Sequence, residues 1–215
     1  MPETRVLIAD DHELVRRGLV EEITRTPGWR VVAQAADGTE AVALAAAEKP
    51  DLIVLDLTMP KLNGIAAARK ILDAQPQARI LILTAHESEQ LVREVLASGA
   101  LGYVLKSDTA RALTSALNEL LAGRPFFSSR IGRIVLEGYL RGGGTEPSAG
   151  GVLSAREREI VQLLAEGRSN KEVARVLGIS VATAETHRSN VMRKIGAGSL
   201  AELVRFAIRN KIIEP

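Results

Sequence analysis

Four short apolar runs each end in a polar residue able to do chemistry. Asp10 and Asp11 follow Val6–Ala9, Asp56 follows Leu52–Leu55, Thr84 follows Ile80–Leu83, and Lys106 follows Gly102–Leu105. Brought to one place, they make a set of three carboxylates, one hydroxyl and one ammonium. Clustered carboxylates repel one another and need a cation, and an all-oxygen set of hard ligands suits Mg²⁺. A carboxylate beside such a cation can attack a phosphoryl group, with the metal and Lys106 offsetting charge on its oxygens and Thr84 donating a hydrogen bond. The attacking group would be Asp56, and the product an aspartyl phosphate. Taken alone, an aspartate at a strand end serves equally well as a turn cap.

The elements that must position this set alternate along the first half of the chain. Strand-like runs at Val6–Ala9, Arg30–Ala33, Leu52–Leu55, Ile80–Leu83 and Gly102–Leu105 are separated by stretches with apolar residues every three or four positions, such as Leu14, Val15, Leu19 and Ile23. That spacing predicts helices with one buried face. Asp37-Gly-Thr-Glu40 has capping-box spacing for the second of them. Strict alternation of strand and helix implies a doubly wound parallel α/β sheet of five strands. All its strand ends share one edge, which is where open α/β sheets bind ligands, so the five polar residues converge there.

Composition narrows the classes. The chain has 215 residues, 46% hydrophobic and only 3% aromatic, so its core is built from Ala, Val, Leu and Ile. With no cysteine it has no disulfides and no thiolate metal sites. No apolar run is long enough to span a bilayer and no signal peptide is evident, so a soluble, cytoplasmic protein is expected. Residues 1–121 hold 13 basic and 17 acidic residues, a net −4, whereas residues 122–215 hold 15 and 9, a net +6. The asymmetry points to an anionic partner for the second half.

With Asp10-Asp11, Asp56 followed by Met59-Pro60 and Gly64, Leu83-Thr84-Ala85, and Gly102-Tyr-Val-Leu-Lys106, residues 4–121 resemble the receiver domain of two-component response regulators. The resemblance implies a flavodoxin-like fold with Asp56 as phosphoacceptor. It implies Mg²⁺ held by Asp10, Asp11, Asp56 and the backbone carbonyl of Thr58, with Lys106 on the phosphoryl group. Thr84 and Tyr103 would be the switch pair, the tyrosine turning inward as the threonine moves. Ser107 stands where many receivers have proline. His12 is expected to be exposed or capping, His86 solvent-facing and Trp29 a packing residue.

Ala122–Phe127 breaks the fifth helix, Ser128–Leu140 is patterned for one linker helix, and Arg141–Gly151 is glycine-rich and reads as a flexible tether. Beyond it, Ser154-x-x-Glu157, Ser169-x-x-Glu172 and Ser199-x-x-Glu202 have capping-box spacing, and Ser180 is a fourth helix start. Leu177-Gly-Ile-Ser180 joins the second and third of these helices in a tight turn, the pattern of a helix-turn-helix. The third, Val181–Ile195, carries an apolar stripe of Ala184, Val191 and Ile195 and an opposite face of Glu185, Thr186, Arg188, Ser189 and Arg193.

Leu153–Ile208 resembles the LuxR-type output domain of the NarL/FixJ response regulators, on Leu-Ser-Ala-Arg-Glu-Arg-Glu159, Ala165-Glu-Gly-Arg-Ser-Asn-Lys-Glu172, Leu-Gly-Ile-Ser180, Glu185-Thr-His-Arg188 and Met192-Arg-Lys194. The resemblance implies base contacts from Glu185, Thr186 and Ser189, and phosphate contacts from Thr183, His187, Arg188, Arg193 and Lys194. Ala182 and Ala184 depart from the Lys and Val of many relatives, and Gly198-Ser-Leu200 replaces a common Asn-Arg.

The sequence is thus expected to comprise a receiver (1–121), a linker (122–150) and a small all-α, four-helix DNA-binding domain (151–215). The implied function is transcription regulation controlled by phosphate from a sensor histidine kinase. Its partners would be double-stranded operator DNA, a second copy of the chain in the active state and, by extension, RNA polymerase; a membrane is not among them. Turnover is not expected beyond phosphotransfer to and hydrolysis from its own aspartate, because dehalogenase-type phosphatases need a second aspartate where this chain has Thr58. A constitutive DNA binder with a receiver used only for dimerisation stays open at this point.

Overall fold

The computed structural model describes residues 3–85, 89–140 and 153–213, which fall into two compact units, Met1–Thr145 and Glu146–Pro215. His86 and the glycine-rich stretch 141–151 lie outside the described residues.

In the first unit the order is β1 (Thr4–Ala9), α1 (Glu13–Thr24), β2 (Trp29–Ala35), α2 (Gly38–Glu48), β3 (Leu52–Asp56), α3 (Gly64–Ala74), β4 (Arg79–Thr84), α4 (Glu89–Ala97), β5 (Gly102–Leu105), α5 (Thr109–Leu121), β6 (Phe126–Phe127) and α6 (Ser129–Leu140). The strands form one parallel sheet ordered β2-β1-β3-β4-β5-β6. The two-residue pleat sorts its apolar residues. Leu7, Ile53, Leu55, Ile80 and Ile82 meet Ala41 and Ala45 of α2, Ile71 of α3 and Val95 of α4 on one face. Val6, Ile8, Leu52, Val54 and Leu81 meet Leu19 and Ile23 of α1 and Leu113 and Leu117 of α5 on the other. Each such buried valine, leucine or isoleucine stabilises the fold by about 1.5–3 kcal/mol relative to exposure.

Five strands were expected and a sixth is present. Its pairing is made by Phe126 N donating to Leu101 O at 3.0 Å and Ser128 N to Tyr103 O at 3.2 Å. A two-residue strand has no periodicity of its own; β5 templates it. The helix that follows, α6, packs against α4 and β5, and its Ile131 is fully buried in the same cluster as Tyr103.

Gly64 opens α3 directly under the end of β3, where an added Cβ would lie 2.1 Å from Asp56 O. That oxygen is backbone and cannot swing aside. Gly64→Ala is therefore expected to destabilise the first unit by about 1–3 kcal/mol, read as a lower urea midpoint at unchanged slope.

The second unit consists of α7 (Ala155–Ala165), α8 (Asn170–Leu177), α9 (Val181–Ile195) and α10 (Leu200–Arg209). Ile160, Val161, Val173, Ala184, Val191, Leu203 and Ala207 make its core. Ser154 with Glu157 and Ser169 with Glu172 form complete capping boxes. Ser199 caps α10 through Glu202 N, but the Glu202 carboxylate accepts from Gly198 N. The same displacement occurs at α2: Asp37 accepts from Thr39 N and Glu40 N, while Glu40 reaches back to Ala36 N. No helix among the described residues is long and apolar enough to cross a membrane.

Candidate phosphoacceptor pocket and nucleic-acid interface

Parallel strands bring the polar strand ends together. Asp10 follows β1 and is fully buried, Asp56 is the last residue of β3 and 2% exposed, and Thr84, the last residue of β4, is fully buried. Lys106 follows β5 and reaches back, its Nζ 2.9 Å from Asp10 Oδ2 and 3.0 Å from Asp56 Oδ1. Asp11 is more exposed at the rim.

Burial pushes the Asp56 carboxyl up to about 7, the Asp10 charge adds to this and Asp11 adds less, while Lys106 pulls the other way. For Lys106, burial acts to lower the ammonium, but Asp56 and Asp10 outweigh it and hold it above its ordinary value. Two carboxylates and one ammonium leave the buried site short of positive charge. Asp56 Oδ2, sealed from solvent, has no hydrogen-bond partner. Carboxylate oxygens of Asp10, Asp11 and Asp56, with a His12 nitrogen, lie within 4.8 Å of one another. A hard divalent cation fits that donor set and would meet the orphaned oxygen.

His12 is exposed, as expected from the sequence, whereas a second neighbour of the pocket, Arg16, had no sequence signal. His12, at the N-cap position of α1 without capping through its side chain, places Nδ1 2.8 Å from Asp11 Oδ1 and its backbone N 2.9 Å from Asp10 Oδ1. Arg16, one turn on, donates to Asp10 O at 2.6 Å and so braces the backbone that presents the carboxylate.

Tyr103 is turned inward and fully buried. Burial pushes its hydroxyl up to about 12, with Thr84 acting to lower it and the Glu94 charge to raise it. The two residues implied as a switch pair by the resemblance lie on adjacent, paired strands, Thr84 at the end of β4 and Tyr103 in β5.

Among the described residues of α9, Thr183, Glu185, Thr186, Ser189, Arg193 and Lys194 are exposed, and His187 and Arg188 are half-buried. Ala184 and Val191 face the core, while Ile195 is only half-buried. Several of the polar ends are engaged within the domain. Arg188 Nη1 donates to Asn170 Oδ1 at 3.3 Å, Lys194 Nζ to Glu157 Oε2 at 2.7 Å, and Thr186 Oγ1 to Ala182 O at 2.9 Å.

Residues 6–118 match the family described as "Response regulator receiver domain", and residues 151–207 match "Bacterial regulatory proteins, luxR family". The chain belongs to the response regulators. This response regulator is 36% identical to the oxygen regulatory protein NreC of Staphylococcus aureus, over 98% of its own length and 99% of the relative's. It is similar to a LuxR-family two-component response regulator from Aurantimonas sp. SI85-9A1, at 41% identity and TM-score 0.61 over 64% of this chain and 99% of that one. Salmonella typhimurium RcsB aligns at 26% identity and TM-score 0.69, over 96% and 97% of the two chains. The response regulator is a phosphorylation-controlled transcription regulator, with a LuxR-type DNA-binding domain behind its receiver.

Proposed function

We propose that Asp56 is the phosphoacceptor, taking its phosphoryl group from the phosphohistidine of a sensor kinase. One observation carries the assignment: a buried carboxylate with an unpartnered oxygen stands beside a second buried carboxylate, and a single ammonium bridges both. In the transfer an Asp56 oxygen attacks phosphorus, the bond from phosphorus to the kinase histidine breaks, and the imidazole leaves. Lys106 neutralises the phosphoryl oxygens. Asp10, Asp11, Asp56 and the Thr58 carbonyl would hold Mg²⁺, which supplies charge neutralisation at those oxygens when bound. Thr84 then meets the phosphoryl group and Tyr103 responds. Activity toward phosphate is confined to gain at, and hydrolysis from, this one aspartate. Leu14, expected from its spacing on the buried face of α1, is instead 82% exposed, because only Leu19 and Ile23 of that stripe are buried against the sheet; its exposed side chain offers the kinase an apolar contact.

The receiver is assigned to residues 1–121, the linker to 122–150 and the output domain to 151–215. In the output domain Glu185, Thr186 and Ser189 read base edges, and Thr183, His187, Arg188, Arg193 and Lys194 contact phosphates. RcsB has been solved bound to DNA, including two dimers on two parallel DNAs. That precedent supports DNA binding by a dimer. The active protein is assigned to the cytoplasm, with RNA polymerase as a further partner.

Fluorescence-anisotropy titration of a DNA selected for binding to the full chain, with and without acetyl phosphate and Mg²⁺, tests the reading. Phosphorylation is expected to raise affinity on the order of tenfold. Arg193→Ala is expected to lower affinity for all sequences and reduce the salt slope by about one. Equal affinity of fully phosphorylated and unphosphorylated protein would instead establish a constitutive DNA binder.

A further inference from the structure

The loop from Leu57 to Asn63 links the phosphoacceptor to α3, and it carries the Thr58 carbonyl. Its distal end is not relaxed. Leu62 N donates to Pro60 O at 2.7 Å, which closes a three-residue turn, and Lys61 at its centre has φ +64°. Such a turn is rare and strained for a residue with a side chain, and it persists only where its surroundings hold it.

Two features hold it. Lys61 Nζ donates to Asp37 Oδ2. Asp37 is buried, 7% exposed, and its other oxygen accepts from Thr39 N and Glu40 N at 2.9 Å each, capping α2. One carboxylate therefore fastens two elements, the first turn of α2 and the strained turn after Asp56. Burial acts to raise the Asp37 carboxyl, but the bonds from Lys61, Thr39 and Glu40 outweigh it and hold it below its ordinary range. The second feature is contact without an intervening side chain: a Cβ on Gly38 would lie 1.9 Å from Leu62 O. The start of α2 lies directly on the loop backbone.

We propose that Asp37 and Lys61 form a clamp that positions the loop of residues 57–63, so that the Thr58 carbonyl is preset for the cation and the rate of phosphoryl uptake at Asp56 depends on the pair. Neither residue touches the reacting atoms; both are positioning residues. The inference rests on the reading of Asp56 as the phosphoacceptor with Asp10, Asp11 and Thr58 as Mg²⁺ ligands.

Asp37→Asn retains an oxygen for the helix cap while losing the charge that holds Lys61. Lys61→Met retains the stem and loses the ammonium. On the full chain, Mg²⁺ affinity by isothermal titration calorimetry and phosphoryl gain from acetyl phosphate by mass spectrometry are measured for both variants, their combination and Lys61→Arg. Amide exchange of residues 57–62 in metal-free protein provides a readout independent of phosphorylation.

The expected result is about tenfold weaker Mg²⁺ binding in each single variant, no further loss in the double variant, recovery in Lys61→Arg, and faster exchange across the loop. Mg²⁺ affinity within twofold of the parent in both single variants overturns the clamp, whatever the melting temperature does. A parent chain that takes up neither Mg²⁺ nor phosphate, or an Asp56→Asn variant that is still phosphorylated, overturns the phosphoacceptor reading instead.

Discussion

Asp56→Asn is expected to remove covalent phosphorylation entirely and, in the absence of divalent cations, to make the protein more stable at pH 8. The two effects share one cause. In the folded chain the carboxyl is raised to about 7 from an ordinary value of 3.8, by burial and by the neighbouring Asp10 charge. The folded state therefore prefers the protonated form. Below pH 3.8 both folded and unfolded chains hold that proton and the contribution to stability is complete. Between about 4 and 7 only the folded chain retains it, and stability falls as pH rises; above 7 the folded chain carries the buried charge and the loss is complete. A shift of this size corresponds to at most about 4 kcal/mol.

Asparagine carries no such charge. Urea unfolding in chelator is thus expected to show a parent that loses stability from pH 5 to pH 8 and a variant with a flatter profile. Mg²⁺ should close the gap at pH 8. Parallel profiles for the two proteins would show that the buried carboxylate is not the source of the pH dependence.

The second large effect concerns Tyr103. The largest of the fully buried side chains among the described residues, it shares a cluster with Val92 and Val95 of α4 and Ile131 of α6. Tyr103→Ala opens a cavity there and is expected to cost about 3–5 kcal/mol, the range for removing a buried aromatic ring. The damage should be greatest where α6 rests on β5. A chain without cysteine allows a direct probe. The Ile131→Cys thiol, introduced alone, is expected to react slowly with a thiol reagent, and adding Tyr103→Ala should speed its labelling more than it speeds that of a Leu113→Cys thiol on the opposite face of the sheet. Equal acceleration at both sites would mean that the whole unit loosens and that α6 has no special dependence on the tyrosine.

Much of this was legible in the sequence, for reasons that differ by element. Strands β1, β3, β4 and β5 are apolar on both sides because helices cover both faces of the sheet, so each appears as an unbroken hydrophobic run. Their terminal residues stood out because a parallel sheet puts all such ends at one edge. Contacts between distant residues left no mark. Lys61 and Asp37 are 24 positions apart, and nothing in either neighbourhood announces the other. Arg16 reads as an ordinary exposed helix residue until Asp10 O is found beneath its guanidinium. In the output domain the serines marked the helix starts correctly, since a cap is local. The partners of Arg188 and Lys194 were not visible: Asn170 and Glu157 belong to other helices, so the guanidinium and ammonium expected to contact DNA phosphates have protein partners as well.

The short strand β6 also bears on how the sheet avoids edge-to-edge aggregation. Without it, β5 would end the sheet and present a row of free amides and carbonyls, the template on which foreign strands add and aggregates begin. Phe126 and Phe127 satisfy part of that row, and Pro125, which has no amide hydrogen to offer, immediately precedes them. The new edge is two residues long, too short to recruit another chain with any grip. A fragment cut at Leu121 would uncover β5 and the apolar side of Tyr103 together, and is expected to aggregate at lower concentration than one that ends after α6.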